Sequence, residues 1–175
     1  MPKISKEGKN MNKLYLITGP AGVGKSTISR KIAESLDKSA LIEGDDIYHH
    51  VVGGYVQAWK DGNHLEVFWK SVIGLITNYL SYGYDVVFNY IISKKDYEKL
   101  KEIFKDYKVV FKVLLVSEEE IMKRDSLREK DCRMGERCIV LLNSFKNQDF
   151  DEKNIVDTTD MSIEETLKEV LKDEN

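Results

Sequence analysis

Leu14-Tyr15-Leu16-Ile17-Thr18-Gly19-Pro20-Ala21-Gly22-Val23-Gly24-Lys25-Ser26-Thr27 decides the fold. Its first five residues are apolar and β-rich, the pattern of a buried strand. Gly19 to Ser26 fits G-x-x-x-x-G-K-[ST], and Ile28, Ile32, Ala33 and Leu36 then recur at helical spacing. Strand, glycine loop and helix follow in the order a phosphate-binding loop requires. Gly19, Gly22 and Gly24 permit torsions that let successive N–H groups of the loop, those of Ala21 and Val23 included, curl around phosphate oxygens, and Pro20, which has no N–H, belongs to the same nucleotide-binding run. The helix opening at the loop adds unpaired N–H groups and its positive dipole end. Lys25 is placed to reach the β- and γ-phosphates, and the Ser26 hydroxyl, with Thr27 beside it, to meet Mg²⁺. An ordinary glycine-rich turn would have no need of Lys-Ser in this register. The stretch predicts nucleoside triphosphate binding.

Working outward, 175 residues at 42% hydrophobic suffice for one domain with a sizeable core, expected over 11–175, with 1–10 a polar, flexible tail. A net charge of −3 gives no electrostatic reason to expect nucleic acid as a partner. Cys132 and Cys138 form neither a C-x-x-C nor a zinc spacing and read as reduced thiols. No apolar run approaches a membrane span, and Met1–Asn10 leads into no signal-peptide core, so a cytoplasmic location without membrane partners is expected. Oligomeric state is open.

Ala40 to Asp46 reads as a second strand whose carboxyl end carries Asp45 and Asp46. In an open parallel sheet that end shares a rim with the phosphate loop. A carboxylate there can orient or deprotonate an acceptor hydroxyl, an effect of roughly 10²–10⁴-fold, or simply cap the next helix. Ile47 to His64 is irregular and rich in Gly, His and aromatics, a short helix and then a loop suited to covering an acceptor. Tyr48, His49, Tyr55 and Trp59 are its candidate substrate contacts, with Asp45 and Asp46. His49, His50 and His64 have no acid or Cys at metal-ligand spacing. Leu65 to Tyr82 is an amphipathic helix closed by Gly83. Asp85 to Ile91 is a strand in which Asn89 stands where many phosphate-loop enzymes carry a metal-supporting Asp, so the metal leans on Ser26, Asp45 and the phosphates.

Ser93 with Asp96 opens a charged helix through Asp106, Lys108 to Val116 is the fourth strand, and Ser117 to Glu120 reads as a capping box. Arg124 and Arg128 lie four apart on the helix that follows, with Arg133 and Arg137 beyond. A solvated face with Glu120 paired to Arg124 is one reading. The other is a mobile arginine flap over about 124–137 that closes on the phosphates, and four arginines so close in an acidic chain favour it. Cys138 to Phe145 continues as a helix, and Asn154 to Asp157 is a fifth strand with Thr158 on the rim. Ser162 with Glu165 caps the closing helix. Alternating strands and helices predict an α/β fold, a parallel sheet with helices on both faces.

The chain resembles the small P-loop kinases of the gluconate kinase, chloramphenicol phosphotransferase and adenylylsulfate kinase type. The resemblance rests on ITGPAGVGKST at 17–27, EGDD at 43–46, Arg124-x-x-x-Arg128 with its basic sequel, and DTTDMSIEE at 157–165. It implies a three-layer sandwich around a five-stranded sheet of order 2-3-1-4-5. It also implies ATP with Mg²⁺ and phosphoryl transfer to a small-molecule hydroxyl. Lys25, Asp45 and Arg128 would then be catalytic, with Asp45 the acceptor base and Ser26 and Asp45 beside the metal. Arg124 would stack on adenine, Arg128 contact phosphates, and Asp157 and Thr158 edge the adenine site. The HPxxN of gluconate kinases is missing after EGDD, which argues against gluconate. A switch GTPase fares worse for lack of N-K-x-D, and a mechanical ATPase for lack of the usual apolar strand ending in Asp-Glu. A nucleoside monophosphate kinase, a kinase of nucleotide sugars and a non-catalytic nucleotide-binding regulator fit the same residues.

Overall fold

The computed structural model describes residues 11–130 and 133–172; the tail at 1–10 and Cys132 lie outside them. Five parallel strands form one sheet of order β2-β3-β1-β4-β5, as the resemblance implies. They are β1 (Lys13–Thr18), β2 (Ser39–Glu43), β3 (Asp85–Asn89), β4 (Lys108–Leu115) and β5 (Ile155–Asp157). The helices are α1 (Lys25–Ser35), α2 (Gly44–Tyr48), α3 (Leu65–Ser81), α4 (Lys94–Ile103), α5 (Glu118–Ser126), α6 (Arg137–Lys146) and α7 (Ile163–Leu171).

The central strand shows why the sheet is covered on both sides. Successive side chains of a strand point to opposite faces. Leu14 and Leu16 join Val86, Phe88, Phe111 and Val113 under Phe68, Val72, Ile76 and Leu80 of α3. Tyr15 and Ile17 join Val87, Val110 and Leu114 under Ile28 and Ile32 of α1, Leu142 of α6 and Val170 of α7. Leu16 pairs in register with Phe88 on one side and Phe111 on the other, so both layers converge on β1. The phosphate-binding loop leaves the sheet at the carboxyl end of this best-buried strand.

Several boundaries differ from the sequence reading. The second strand stops at Glu43, and Asp45 and Asp46 fall in the first turn of α2. Gly44 makes that turn possible: a Cβ there would lie 2.6 Å from Cδ2 of Tyr90. Neither acid caps α2 through its side chain. The third strand ends at Asn89 and the charged helix at Ile103. The capping box at Ser117 is half-formed: Ser117 Oγ accepts from Glu120 N, but the Glu120 carboxylate takes Arg124 and Lys123 instead. The box at Ser162 and Glu165 is complete.

Candidate active site

The rim is built by strand ends. At the end of β1, Gly19 has φ +145°, and an added Cβ would lie 2.3 Å from the Leu114 carbonyl oxygen, so the loop runs flush against β4. Gly22 and Gly24 also have positive φ, at 85° and 104°. Lys25, the first residue of α1, folds back so that Nζ donates to the Pro20 carbonyl at 3.0 Å. Burial pushes its pKa down from 10.5 to about 8. Asp45 and Glu43 pull it partly back, while Arg128 lowers it further. The lysine thus sits within electrostatic reach of both acids and of the arginine segment.

Glu43, at the tip of β2, was passed over in the sequence reading. Its Oε2 accepts from the Ser26 hydroxyl at 3.0 Å and from the Asn89 amide nitrogen at 2.8 Å. Asn89, the residue that seemed to weaken the metal site, orients a carboxylate supplied by the neighbouring strand. Asp45 is exposed one turn beyond, and Asp46 is exposed beside it.

A metal fits this donor set. Mg²⁺ is a hard ion that takes oxygen ligands, keeps several waters, and binds through one or two carboxylates and substrate phosphates. Ser26, Glu43 and Asp45 offer a hydroxyl and two carboxylates beside the phosphate loop. Among the described residues no group of three or more His, Cys, Asp or Glu forms an all-protein cage.

On the other side of the loop lies a cavity of about 310 Å³ lined by Val23, Gly24, Thr27, Ile28, Arg124, Thr158 and the Met161–Ile163 turn with Thr166. Arg124 is its post. Nε donates to Glu120 Oε1 at 2.9 Å, NH1 to the Val23 carbonyl at 3.0 Å and to Thr158 Oγ1 at 3.2 Å, and NH2 to the Thr158 carbonyl at 2.9 Å. Its N–H edges are committed, which leaves the flat guanidinium face for the cavity, the part suited to stacking. The salt bridge between Glu120 and Arg124 that one of the two readings expected is present. Asp157 is turned away: its Oδ1 accepts from Thr159 N and Oγ1, and Thr159 in turn accepts from Ser117 N. It braces the rim without lining the cavity. Met161, Ser162 and Ile163 were legible only as part of the DTTDMSIEE run.

The arginine segment is pinned by a residue the sequence did not flag. Asp125 is 3% exposed, and its carboxylate accepts from Met134 N at 3.0 Å and Gly135 N at 2.8 Å, with Arg128 NH1 3.5 Å away. Burial works against the ionised form, yet the Gly135 and Met134 amides, Cys138 and Arg128 hold the carboxyl below its ordinary range. Arg133 Nε donates to the Arg128 carbonyl. The Cys138 thiol, fully buried, is pushed up to about 11.

The aromatic segment divides in two. Tyr48 is buried; its ring stacks on His64 at 4.1 Å and its hydroxyl donates to the Val56 carbonyl at 2.7 Å. Those contacts make it a scaffold for the loop and leave its hydroxyl spent. His49 Nδ1 donates to the Asp45 carbonyl at 2.6 Å, so Nε2 accepts from the Tyr55 hydroxyl at 3.3 Å. His49, Tyr55 and Trp59 are exposed.

Residues 14–139 match a protein family described as an AAA domain. The chain belongs to that family. The chain is also 29% identical to the guanylate kinase of Prochlorococcus marinus subsp. pastoris, over 94% of the chain and 97% of the relative. Its fold is that of P-loop kinases: it superposes on a gluconokinase from Sinorhizobium meliloti with a TM-score of 0.66 at 20% identity, over 94% of this chain and 92% of that one. It also matches the Pnkp1/Rnl/Hen1 RNA repair complex with a TM-score of 0.64 at 21% identity, over 85% of this chain but 49% of the other. In a second structure of that assembly the chain spans 42% of the protein it matches.

Proposed function

We propose that the chain is an ATP-dependent kinase that transfers the γ-phosphoryl group to a hydroxyl of a small molecule. The observation that carries this is the position of Lys25 on the phosphate loop, where its ammonium feels the charges of Asp45, Arg128 and Glu43. The loop N–H groups of Gly19 and of Ala21 to Thr27, with the Lys25 ammonium, hold the phosphates. Purine and sugar occupy the cavity lined by Val23, Thr27, Arg124 and Thr158. When bound, Mg²⁺ neutralises charge on the β- and γ-phosphates, and Ser26 and Glu43 are the side chains that hold it or its waters.

That division leaves Asp45 for the acceptor. Its carboxylate takes the hydroxyl proton as the acceptor oxygen bonds to the γ-phosphorus; the bond from that phosphorus to the β–γ bridging oxygen breaks, and ADP departs. Arg128 stabilises the charge that spreads over the transferred oxygens. Asp46, His49, Tyr55 and Trp59 edge the acceptor.

The test is ATP consumption against sugars, sugar acids, nucleosides, antibiotics and nucleoside monophosphates, with wild type and Asp45→Asn. Stimulation by one hydroxyl class, lost in Asp45→Asn with ATP affinity kept, is the expected result. Stimulation by nucleoside monophosphates alone would replace this reading with the one that the guanylate kinase relative favours. Tight ATP binding with no stimulation would leave a nucleotide-binding regulator.

A further inference from the structure

The guanidinium of Arg137 lies 3.7 Å from the centre of the Trp59 ring. This contact is where the aromatic loop after α2 meets the arginine segment. Arg137 is the first residue of α6, and the next side chain, Cys138, packs on the phosphate loop: its Sγ is 3.8 Å from where a Cβ on Gly22 would stand. Trp59 is in turn carried by a loop fixed at both ends, through Tyr48 to Val56 and through His64 on Tyr48. The loop therefore begins just after Asp45 and reaches α6 at Arg137, one residue from the side chain that packs on Gly22.

Within the arginine segment Arg137 differs from its neighbours. Arg124 has its N–H groups committed to four acceptors, Arg128 faces Asp125, and Arg133 donates to a carbonyl. Among the described residues the Arg137 side chain makes no hydrogen bond and no ion pair, although it is half-buried. One face is held on indole, which fixes the orientation of the fork without using any donor. A guanidinium in that state is preorganised for a planar or tetrahedral anion and keeps its five N–H groups to offer. Trp59, 59% exposed, extends the site with an apolar flat surface.

We infer that Arg137 and Trp59 form the acceptor-specificity subsite, and that the acceptor is a hydroxyl compound bearing an anionic group, phosphate or carboxylate, which Arg137 binds while Trp59 covers the adjoining carbon face. The inference rests on the kinase reading above and narrows it from any hydroxyl to an anionic one. It moves Arg137 from the nucleotide phosphates to the other substrate.

The test uses the full chain with Trp69→Phe, which leaves Trp59 as its one remaining tryptophan, of the two in the sequence. Trp59 fluorescence is titrated with ribose 5-phosphate, gluconate, ribose and glucose in the presence of Mg²⁺ and a non-hydrolysable ATP analogue. Calorimetry repeats each titration so that affinity does not depend on the fluorophore. The phosphate or the carboxylate probe should bind about tenfold more tightly than its neutral counterpart. The arm that responds names the anion. Arg137→Gln should erase the difference and Arg137→Lys restore part of it, with affinity for the ATP analogue unchanged. Equal binding of charged and neutral probes overturns the inference, as does a preference that survives Arg137→Gln, or no binding of either anion at millimolar concentration. Failure of the ATP analogue to bind would instead strike the kinase reading.

Discussion

Replacing Lys25 by Met should make the nucleotide-free protein more stable, although the lysine is the centre of the phosphate site. Burial lowers the folded pKa of Lys25 from 10.5 to about 8. At 1.36 kcal/mol per unit, keeping this ammonium protonated costs the empty protein about 3 kcal/mol at pH 7. Met has similar length and no charge. It forfeits the bond to the Pro20 carbonyl, a net contribution of about 1 kcal/mol. The balance favours Lys25→Met by about 2 kcal/mol, or roughly 4–8 °C in Tm for a chain of this size. The pH dependence has a definite sign. Between pH 8 and 10.5 the unfolded chain keeps a proton that the folded one has released, so wild-type stability rises with pH and the cost disappears. Urea denaturation of both proteins without nucleotide, at pH 7 and pH 10, reads the effect. The advantage of Met should be near its full value at pH 7 and close to zero at pH 10. A variant no more stable than wild type at pH 7, or a gap equal at the two pH values, would refute the reasoning. The phosphate site, on this account, is held under charge until an anion relieves it.

Three further outcomes follow from contacts already described. Glu43→Gln should raise the Mg²⁺ concentration for half-maximal binding of a fluorescent ATP analogue by about tenfold, with metal-free affinity unchanged; an unaltered Mg²⁺ requirement would remove Glu43 from the site. Gly44→Ala places a methyl 2.6 Å from the buried Tyr90 ring and should cost about 1–3 kcal/mol by calorimetry; an equally stable variant would show that the ring yields. Asp125→Asn should cost about 2–3 kcal/mol at pH 7 by urea midpoint. Because the Asp125 carboxyl is held below 3.8, its contribution is present above that pH and lost on acidification, so the two proteins should converge in acid.

The strand-loop-helix unit was legible because its signals are local: glycines, lysine and hydroxyl fall within one eight-residue register. Strand order came from the resemblance, and the register that puts Leu16 between Phe88 and Phe111 agrees with it. What escaped were residues whose meaning depends on distant partners. Glu43 is one carboxylate among thirty acids until Ser26 and Asn89, far along the chain, both touch it. Asn89 was read alone, as a missing charge, when its work is to donate to a charge next door. Asp125 looked like another polar position on a charged helix because its partners are backbone N–H groups, which no side-chain pattern announces. The arginines were visible as a cluster, but their distinct tasks follow from which acceptors the fold brings to each.

The cavity beside Arg124 has one wall from residues 23–28 and the other from residues 158–166. The second wall lies past residue 139, where the family match ends. During synthesis, at roughly 5–20 residues per second, the first wall leaves the ribosome many seconds before the second exists. A nascent chain that has folded its phosphate loop holds Lys25 and Ser26 but not the far wall of the cavity beside them. A chain interrupted before residue 158 would therefore carry a finished phosphate loop beside a cavity with one wall missing.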